Sequence, residues 1–284
     1  MAAENDIVYL NGRFLPLEEA RISVLDRGFL FGDGVYEVIP AYGGRLFRLD
    51  EHLSRLESSL DQVRIRPPLI HQEWQTILNR LLPDDRDRSV YLQVARGVAE
   101  KRDHAMPAKS TPTVFAMSSE LDPPYDVHAG VGAITLDDTR WKLCQIKAIT
   151  LLANILLRQE ALDRNCAEAI LIRDGVVSEG AASNVFAVID DVLVTPPKSH
   201  DLLPGITRDL VLELAHANAI EAREETISAE ALPFADEIWL TSSTREILPV
   251  VELNGKCVGD GAAGPVWRRM YGIYQAYKQL LRSP

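Results

Sequence analysis

The chain predicts a mixed α/β protein of two domains. Three observations carry that prediction. Segments with strand character and segments with helical periodicity alternate from one end to the other. The length, 284 residues, exceeds that of a typical single domain. The polar stretch SSELDPPYDVHAG, with its Pro-Pro pair, interrupts the alternation. The expected organisation is a small N-terminal domain over residues 1–118, a linker over 119–130 and a larger C-terminal domain over 131–284.

In the first domain, IVYL and RFLP read as a hairpin turning at Asn11-Gly12. DRGFLFGDGVYEVIPAYGGRLF then places Gly28, Gly32 and Gly34 close together. Such a cluster serves a tight turn or a close backbone approach; its plain alternative is a glycine-rich turn joining two strands. VYEVIPAY is a strand with Tyr36 and Val38 on one face, and Gly43-Gly44 closes the next hairpin. Leu53, Leu56, Leu60 and Val63 set a helix from about Leu49, with Asp50 as candidate N-cap. Its Arg55 stands one turn beyond Glu51, the spacing of an exposed ion pair of little worth. A second helix runs from about Leu69 to Leu82. The strands SVYLQVARG and TVFAM flank a loop, AEKRDHAMPAKSTP, whose Arg102 and His104 belong by themselves to a solvated charge run.

Beyond the linker, the strand VGAITL leads into CQIKAITLLANILLRQEALDRNCAEAILIRDGVVSEGAASNVFAV. Lys147 is flanked by apolar residues, which either desolvate its ammonium into a usable amine or let it snorkel at a strand edge. Leu152, Ile155, Gln159 and Leu162 follow at helical spacing, and Asn165 is a left-handed stop. AEAILIR and VVSE form a hairpin across Asp174-Gly175, ending on Glu179, and SNVFAVI is the next strand. A lysine amine and a carboxylate so placed are what an aromatic cofactor requires: one to form a Schiff base, the other to keep a ring nitrogen protonated.

LLPGITRD opens a helix at Gly205-Ile206-Thr207, either a site for an anion such as phosphate or an ordinary capped helix. A further strand ends in the hydroxyl run Thr241 to Thr244, a second phosphate contact or a polar turn. The last helix starts near Gly264 and carries Trp267, Tyr271 and Tyr274. GDGAAG, just before it, matches the dinucleotide fingerprint in letters only, since too few residues follow to complete a βαβ unit.

Composition narrows the function classes. With 46% hydrophobic and 25% charged residues the chain is of soluble globular type. A net charge of -11 argues against nucleic acid or an anionic membrane as partner. Cys144, Cys166 and Cys257 are odd in number and scattered, which suits neither a disulfide framework nor a metal site. The six histidines show no metal-ligand spacing, so no metal is expected. No apolar run reaches membrane length and MAAENDIVYL lacks a signal pattern, so a cytoplasmic location is expected.

Six blocks in order, DRGFLFGDGVYEV, EHLSRL, CQIKAITLLANILLRQEA, SEGAASNVF, LLPGITRD and LTSSTREILPV, resemble the branched-chain/D-amino-acid aminotransferase group. These are the fold-type IV enzymes that use pyridoxal 5'-phosphate. The GDGVYEV block and the RDH triplet look most like the D-amino acid aminotransferases. The resemblance implies two α/β domains with the cofactor between them. It implies that Lys147 is the Schiff-base lysine that also moves the Cα proton, and that Glu179 pairs with the pyridinium nitrogen. Arg55, Ile206, Thr207 and Ser243 match the phosphate cup. Tyr36, Arg102 and His104 match the group that traps the substrate carboxylate, with Val38 beside Tyr36 among the substrate-binding positions. In the family that arginine and histidine come from the neighbouring subunit, which implies a homodimer.

The function so implied is transfer of the amino group from a D-amino acid to a 2-oxo acid such as 2-oxoglutarate or pyruvate. Transamination of branched-chain L-amino acids and the aminodeoxychorismate lyase reaction are alternatives on the same scaffold. A binding protein without chemistry is a fourth, and the intact set Lys147, Glu179 and Arg55 argues against it.

Overall fold

The structure, a computed structural model, describes residues 7–121 and 126–282. The chain divides into two compact units. The first takes the chain up to Leu121, the short segment Ile146–Thr150 and the tail after Leu280; the second takes the remainder. The sequence reading put Lys147 in the C-terminal domain, whereas its segment clusters with the first unit.

The first unit contains β1 (Ile7–Leu10), β2 (Arg13–Pro16), α1 (Arg27–Phe31), β3 (Gly34–Tyr42), β4 (Arg45–Leu46), α2 (Leu49–Gln62), α3 (His71–Arg80), β5 (Arg88–Ala95) and β6 (Thr113–Glu120). Its strands form one antiparallel sheet in the order β2-β1-β6-β5-β3-β4. The hairpin turns follow their local chemistry: Asn11 and Gly12 both have positive φ, as do Gly43 and Gly44. The core sets Val35, Ile39, Val90 and Leu92 of the sheet against Leu53, Leu56, Leu60, Trp74 and Leu78 of the helices.

Two local expectations are corrected here. The glycine-rich stretch is no simple joint, since α1 forms there with Asp26 accepting from the Gly28 amide at 2.7 Å and Gly32 closing it at φ 65°. Asp50 does not cap α2, whose N-cap is the left-handed Arg48. Behind α1, Asp33 accepts from Arg27 Nε at 2.7 Å and from Arg96 Nε and Nη2 at 2.8 and 2.9 Å. Arg96 also donates to the Val63 and Arg64 carbonyls. Burial pushes the Asp33 carboxyl up, but the two guanidinium groups outweigh it and hold the group below its usual range.

The second unit holds β7 (Val131–Asp137), α4 (Leu152–Leu162), β8 (Glu168–Arg173), β9 (Val176–Gly180), β10 (Asn184–Ile189), β11 (Val192–Thr195), α5 (Ile206–Ala217), β12 (Ala222–Glu224), β13 (Glu237–Ser242), β14 (Glu246–Leu253), β15 (Lys256–Cys257) and α6 (Pro265–Arg282). The described strands form a sheet in the order β12-β11-β10-β13-β14-β7-β8-β9, with β15 on β14. β14 with β7 and β7 with β8 run parallel, while the Asp174-Gly175 turn joins β8 to β9 with positive φ at both residues.

The GDGAAG stretch proves to be a helix cap. Glu237 accepts from the Val266 and Trp267 amides, both at 2.8 Å, and from Trp239 Nε1 at 2.9 Å. A Cβ on Gly264 would stand 2.2 Å from that carboxyl, so only glycine admits the acid to the start of α6. On α4, Leu157 and Ala161 face Ile134, Ala169 and Leu171. The stripe read at helical spacing looks outward: Leu152 is 70% exposed and Ile155 59%, beside Leu156 at 61%.

Candidate functional site

Lys147 owes its position to the short segment Ile146–Thr150 laid against β3. The Tyr36 amide donates to the Lys147 carbonyl at 2.9 Å, Ile149 N–H donates to the Gly34 carbonyl at 3.1 Å, and Val35 bridges Ala148. Lys147 N–H also reaches Ser59 Oγ on α2 at 3.3 Å. The Ala148 amide donates to the Ile146 carbonyl at 2.8 Å, and this tight turn about Lys147 sorts the side chains. Ile146 and Ala148 enter the hydrophobic core, and Lys147, between them, points the other way. Its Nζ lies 4.3 Å from the centroid of the Tyr36 ring, within range of a cation–π contact. Gly34 permits the approach, because a Cβ there would meet the Val94 carbonyl at 2.6 Å and Ile149 Cδ1 at 3.0 Å.

Arg55 is not the exposed partner of Glu51, which pairs with Arg48 instead. It is buried, and donates from Nε and Nη2 to the two oxygens of Glu37, each at 2.7 Å. His52 Nδ1 meets Glu37 Oε2 at 2.8 Å. Burial alone would raise the Glu37 carboxyl, yet the Arg55 charge and hydrogen bonds bring it down to about 2. His52 is lowered, by burial first and by the Arg55 and Lys147 charges, against the opposing pull of Glu37. The ring is therefore neutral near pH 7 and donates an Nδ1–H hydrogen bond to the Glu37 carboxylate. The fork between Arg55 and Glu37 fixes the guanidinium plane, and losing one partner of such a buried pair costs about 3–5 kcal/mol.

In the second unit, Glu179 is the penultimate residue of β9 and is 5% exposed. It accepts from Arg140 Nη1 at 2.5 Å, from Asn184 Nδ2 at 3.1 Å and from the Leu203 amide at 3.1 Å. Burial nevertheless raises its carboxyl to about 7. Arg140 does not cancel that cost because it is shared: Asp138 takes its Nε at 2.9 Å and Nη2 at 2.8 Å, and the Asp138 charge itself opposes ionisation of Glu179. A cationic ring nitrogen against Glu179 would restore the ionised carboxylate.

Ile206 and Thr207 are buried in the first turn of α5, whose N-cap, Gly205, offers no side chain to the leading amides. A Cβ on Gly205 would fall 1.9 Å from Asn184 Oδ1. The glycine thus lets α5 start beside the residue that supports Glu179, and Asn184 also donates to the Leu203 carbonyl at 2.8 Å. Ser243 lies in the turn between β13 and β14. Arg245 steadies that turn, its Nη1 donating at 3.0 Å to the buried Glu168, which also accepts from Ser183 Oγ at 3.0 Å. Thr241, opposite Asn184 in the β10–β13 register, has a buried hydroxyl without a hydrogen-bond partner. An orphan hydroxyl, a carboxyl that calls for a cation and uncapped helix amides fit a phosphorylated pyridine.

Tyr36 and Val38 are half-buried neighbours on one face of β3, and Tyr36 packs on Tyr91 with ring centroids 5.7 Å apart. Arg102 and His104 lie on the exposed loop between β5 and β6, where both meet the Phe31 ring. The structure thus joins Lys147 to Tyr36, while Arg102 and His104 gather on Phe31. Sequence reasoning overlooked Glu37, His52, Arg140 and Asn184. Only Glu37 carried a signal: it falls in β3 on the same side as the apolar Val35 and Ile39.

Among the described residues, no helix is long and apolar enough to cross a membrane, and no group of three or more His, Cys, Asp or Glu residues is placed to hold a metal ion. Residues 34–253 match the family model for amino-transferase class IV. The chain is 41% identical to a D-alanine aminotransferase of Bacillus licheniformis, across 94% of this chain and 95% of that protein. It is 38% identical to one of Staphylococcus haemolyticus, across 95% and 97%. Among solved structures, a branched-chain amino acid aminotransferase from Escherichia coli aligns with a TM-score of 0.85 at 29% identity, covering 98% of this chain and 94% of that one. A second branched-chain amino acid aminotransferase, that of T.th., solved with pyridoxamine 5'-phosphate, aligns with a TM-score of 0.90 at 27% identity, covering 98% and 96%. The chain belongs to the amino-transferase class IV family and is an enzyme of the transferase class.

Proposed function

We propose that the chain is a D-amino acid aminotransferase of the D-alanine type. It takes the amino group from a D-amino acid and passes it to a 2-oxo acid such as pyruvate or 2-oxoglutarate. The observation that carries this reading is the likeness to D-alanine aminotransferases along nearly the whole chain. The cofactor is pyridoxal 5'-phosphate, which when bound supplies an electron sink conjugated to the substrate Cα.

Each residue has a task that its surroundings support. Lys147 would take the proton from the substrate Cα and return it, its backbone fixed and its amine lying over Tyr36. Glu179 holds the proton of the ring nitrogen, and the burial that raises it makes a cationic partner welcome. Arg55, held flat by Glu37, binds phosphate, as do the leading amides of α5 at Ile206 and Thr207 and the Ser243 hydroxyl. Tyr36, Arg102 and His104 receive the substrate carboxylate, with Val38 lining the same strand face.

The working form is a homodimer in which each subunit lends Arg102 and His104 to its neighbour. The exposed apolar run Leu152, Ile155 and Leu156 on α4 is surface that a second copy would bury. Sedimentation should give twice the mass of the chain, and a monomer that is fully active would refute this part. The cysteines are all unpaired, in keeping with the cytoplasm as location.

Substrate choice is tested by single-turnover reactions of the loaded enzyme. D-Alanine should convert the cofactor to its amine form much faster than L-leucine does. The opposite order would replace this reading by that of a branched-chain L-amino acid aminotransferase. Glu179→Gln should keep the cofactor bound while slowing turnover roughly 10- to 150-fold, the worth of one hydrogen bond to a charged group. Full activity in that variant would leave Glu179 a purely structural role.

A further inference from the structure

The loop bearing Arg102 and His104 is exposed, yet it is anchored at a definite point. Arg27, only 4% exposed, directs its guanidinium at three successive carbonyls of that loop. Nη1 donates to Asp103 O at 2.6 Å and to Ala105 O at 3.2 Å, and Nη2 donates to His104 O at 3.4 Å. Its Nε is held by Asp33, and its plane lies over the Phe31 ring, 4.8 Å from the centroid. Phe31 also receives the Arg102 guanidinium at 5.1 Å and the His104 ring at 5.3 Å. The base of the loop is tied to the same place, since the Arg27 amide donates to Gly97 O at 2.9 Å and Ala99 N–H to Leu25 O at 3.2 Å.

Three consecutive carbonyls converge on one cation only if the chain curls around it; Arg27 holds that curl, which Asp103 Oδ1 also closes by accepting from the Ala105 amide at 3.1 Å. We infer that Arg27 is a positioning residue for substrate recognition: through the Asp103–Ala105 carbonyls and Phe31 it holds Arg102 and His104 in the arrangement that receives an amino acid carboxylate. The inference rests on the carboxylate-binding role proposed above for those two residues. Without the clamp each binding event would have to order the loop anew, and affinity for carboxylate substrates would fall while the chemical step stayed intact.

Arg27 is suited to such a test because its removal strands no charge. Asp33 keeps its two-point pair with Arg96, and Arg27→Met preserves most of the stem volume. The experiment uses the cofactor-loaded enzyme and follows single turnovers of D-alanine and of ethylamine, which is D-alanine without its carboxylate. Arg27→Met should raise the apparent KM for D-alanine roughly 10- to 100-fold, leave the saturating rate and the ethylamine rate within about threefold, and keep the cofactor spectrum and Tm near wild type. An unchanged KM, or D-alanine and ethylamine rates falling by one common factor, would overturn the inference. Phe31→Leu should shift the KM in the same direction, and it decides the matter if Arg27→Met does not fold, an unchanged KM again counting against the clamp. Arg102→Ala separates the two levels of the argument. If it raises the KM and Arg27→Met does not, the clamp fails and the carboxylate role stands; if Arg102→Ala changes nothing, the carboxylate role falls and takes the clamp with it.

Discussion

The close approach of the Ile146–Thr150 segment to β3 is the constraint on which the lysine depends. Its backbone bonds to Gly34 and Tyr36, and Ile146 and Ala148 are buried in the core. A long lysine side chain is thereby given one origin and one direction, toward the Tyr36 ring. A Cβ at position 34 would stand 2.6 Å from the Val94 carbonyl of β5 and 3.0 Å from Ile149 Cδ1, so glycine lets β3 lie close to both neighbours. A surface lysine on a loop would have no such fixed origin, and proton transfer is sensitive to displacements of an ångström.

Two buried glutamates show how environment divides labour between identical side chains. Glu37 has an arginine directing two donors at it and a neutral histidine as third partner, so it stays ionised down to acid pH and serves as a rigid counter-charge. Glu179 must share its arginine with Asp138 and is raised to about 7. A carboxyl poised in this way responds to the arrival of a cation, whereas Glu37 is already committed to one. Folding tolerates the cost at Glu179 because Asn184 on β10 and the Leu203 amide of the loop it anchors are compensating donors.

Much of this was legible in the sequence wherever the physics is local. Asn11-Gly12 and Asp174-Gly175 turn as their chemistry requires, and α4 begins at Leu152 and stops short of the left-handed Asn165. Lys147 drew notice through its apolar flanks, which do insert into a core. What stayed hidden depends on partners distant in the chain. Arg55 read as an exposed neighbour of Glu51 because nothing local reveals a carboxylate on β3, eighteen residues away. The outward face of α4 stayed hidden because periodicity identifies an apolar stripe without saying what covers it. Arg140 and Asn184 are ordinary letters until the fold brings them to Glu179.

The central claim is that Lys147 is the amine joined to the cofactor. Borohydride reduction of the loaded protein, followed by peptide mass mapping, tests it directly. The account predicts the cofactor mass on the peptide containing Lys147, with Lys147→Ala both unlabelled and inactive. Label fixed on Lys142 or on any other lysine would contradict it.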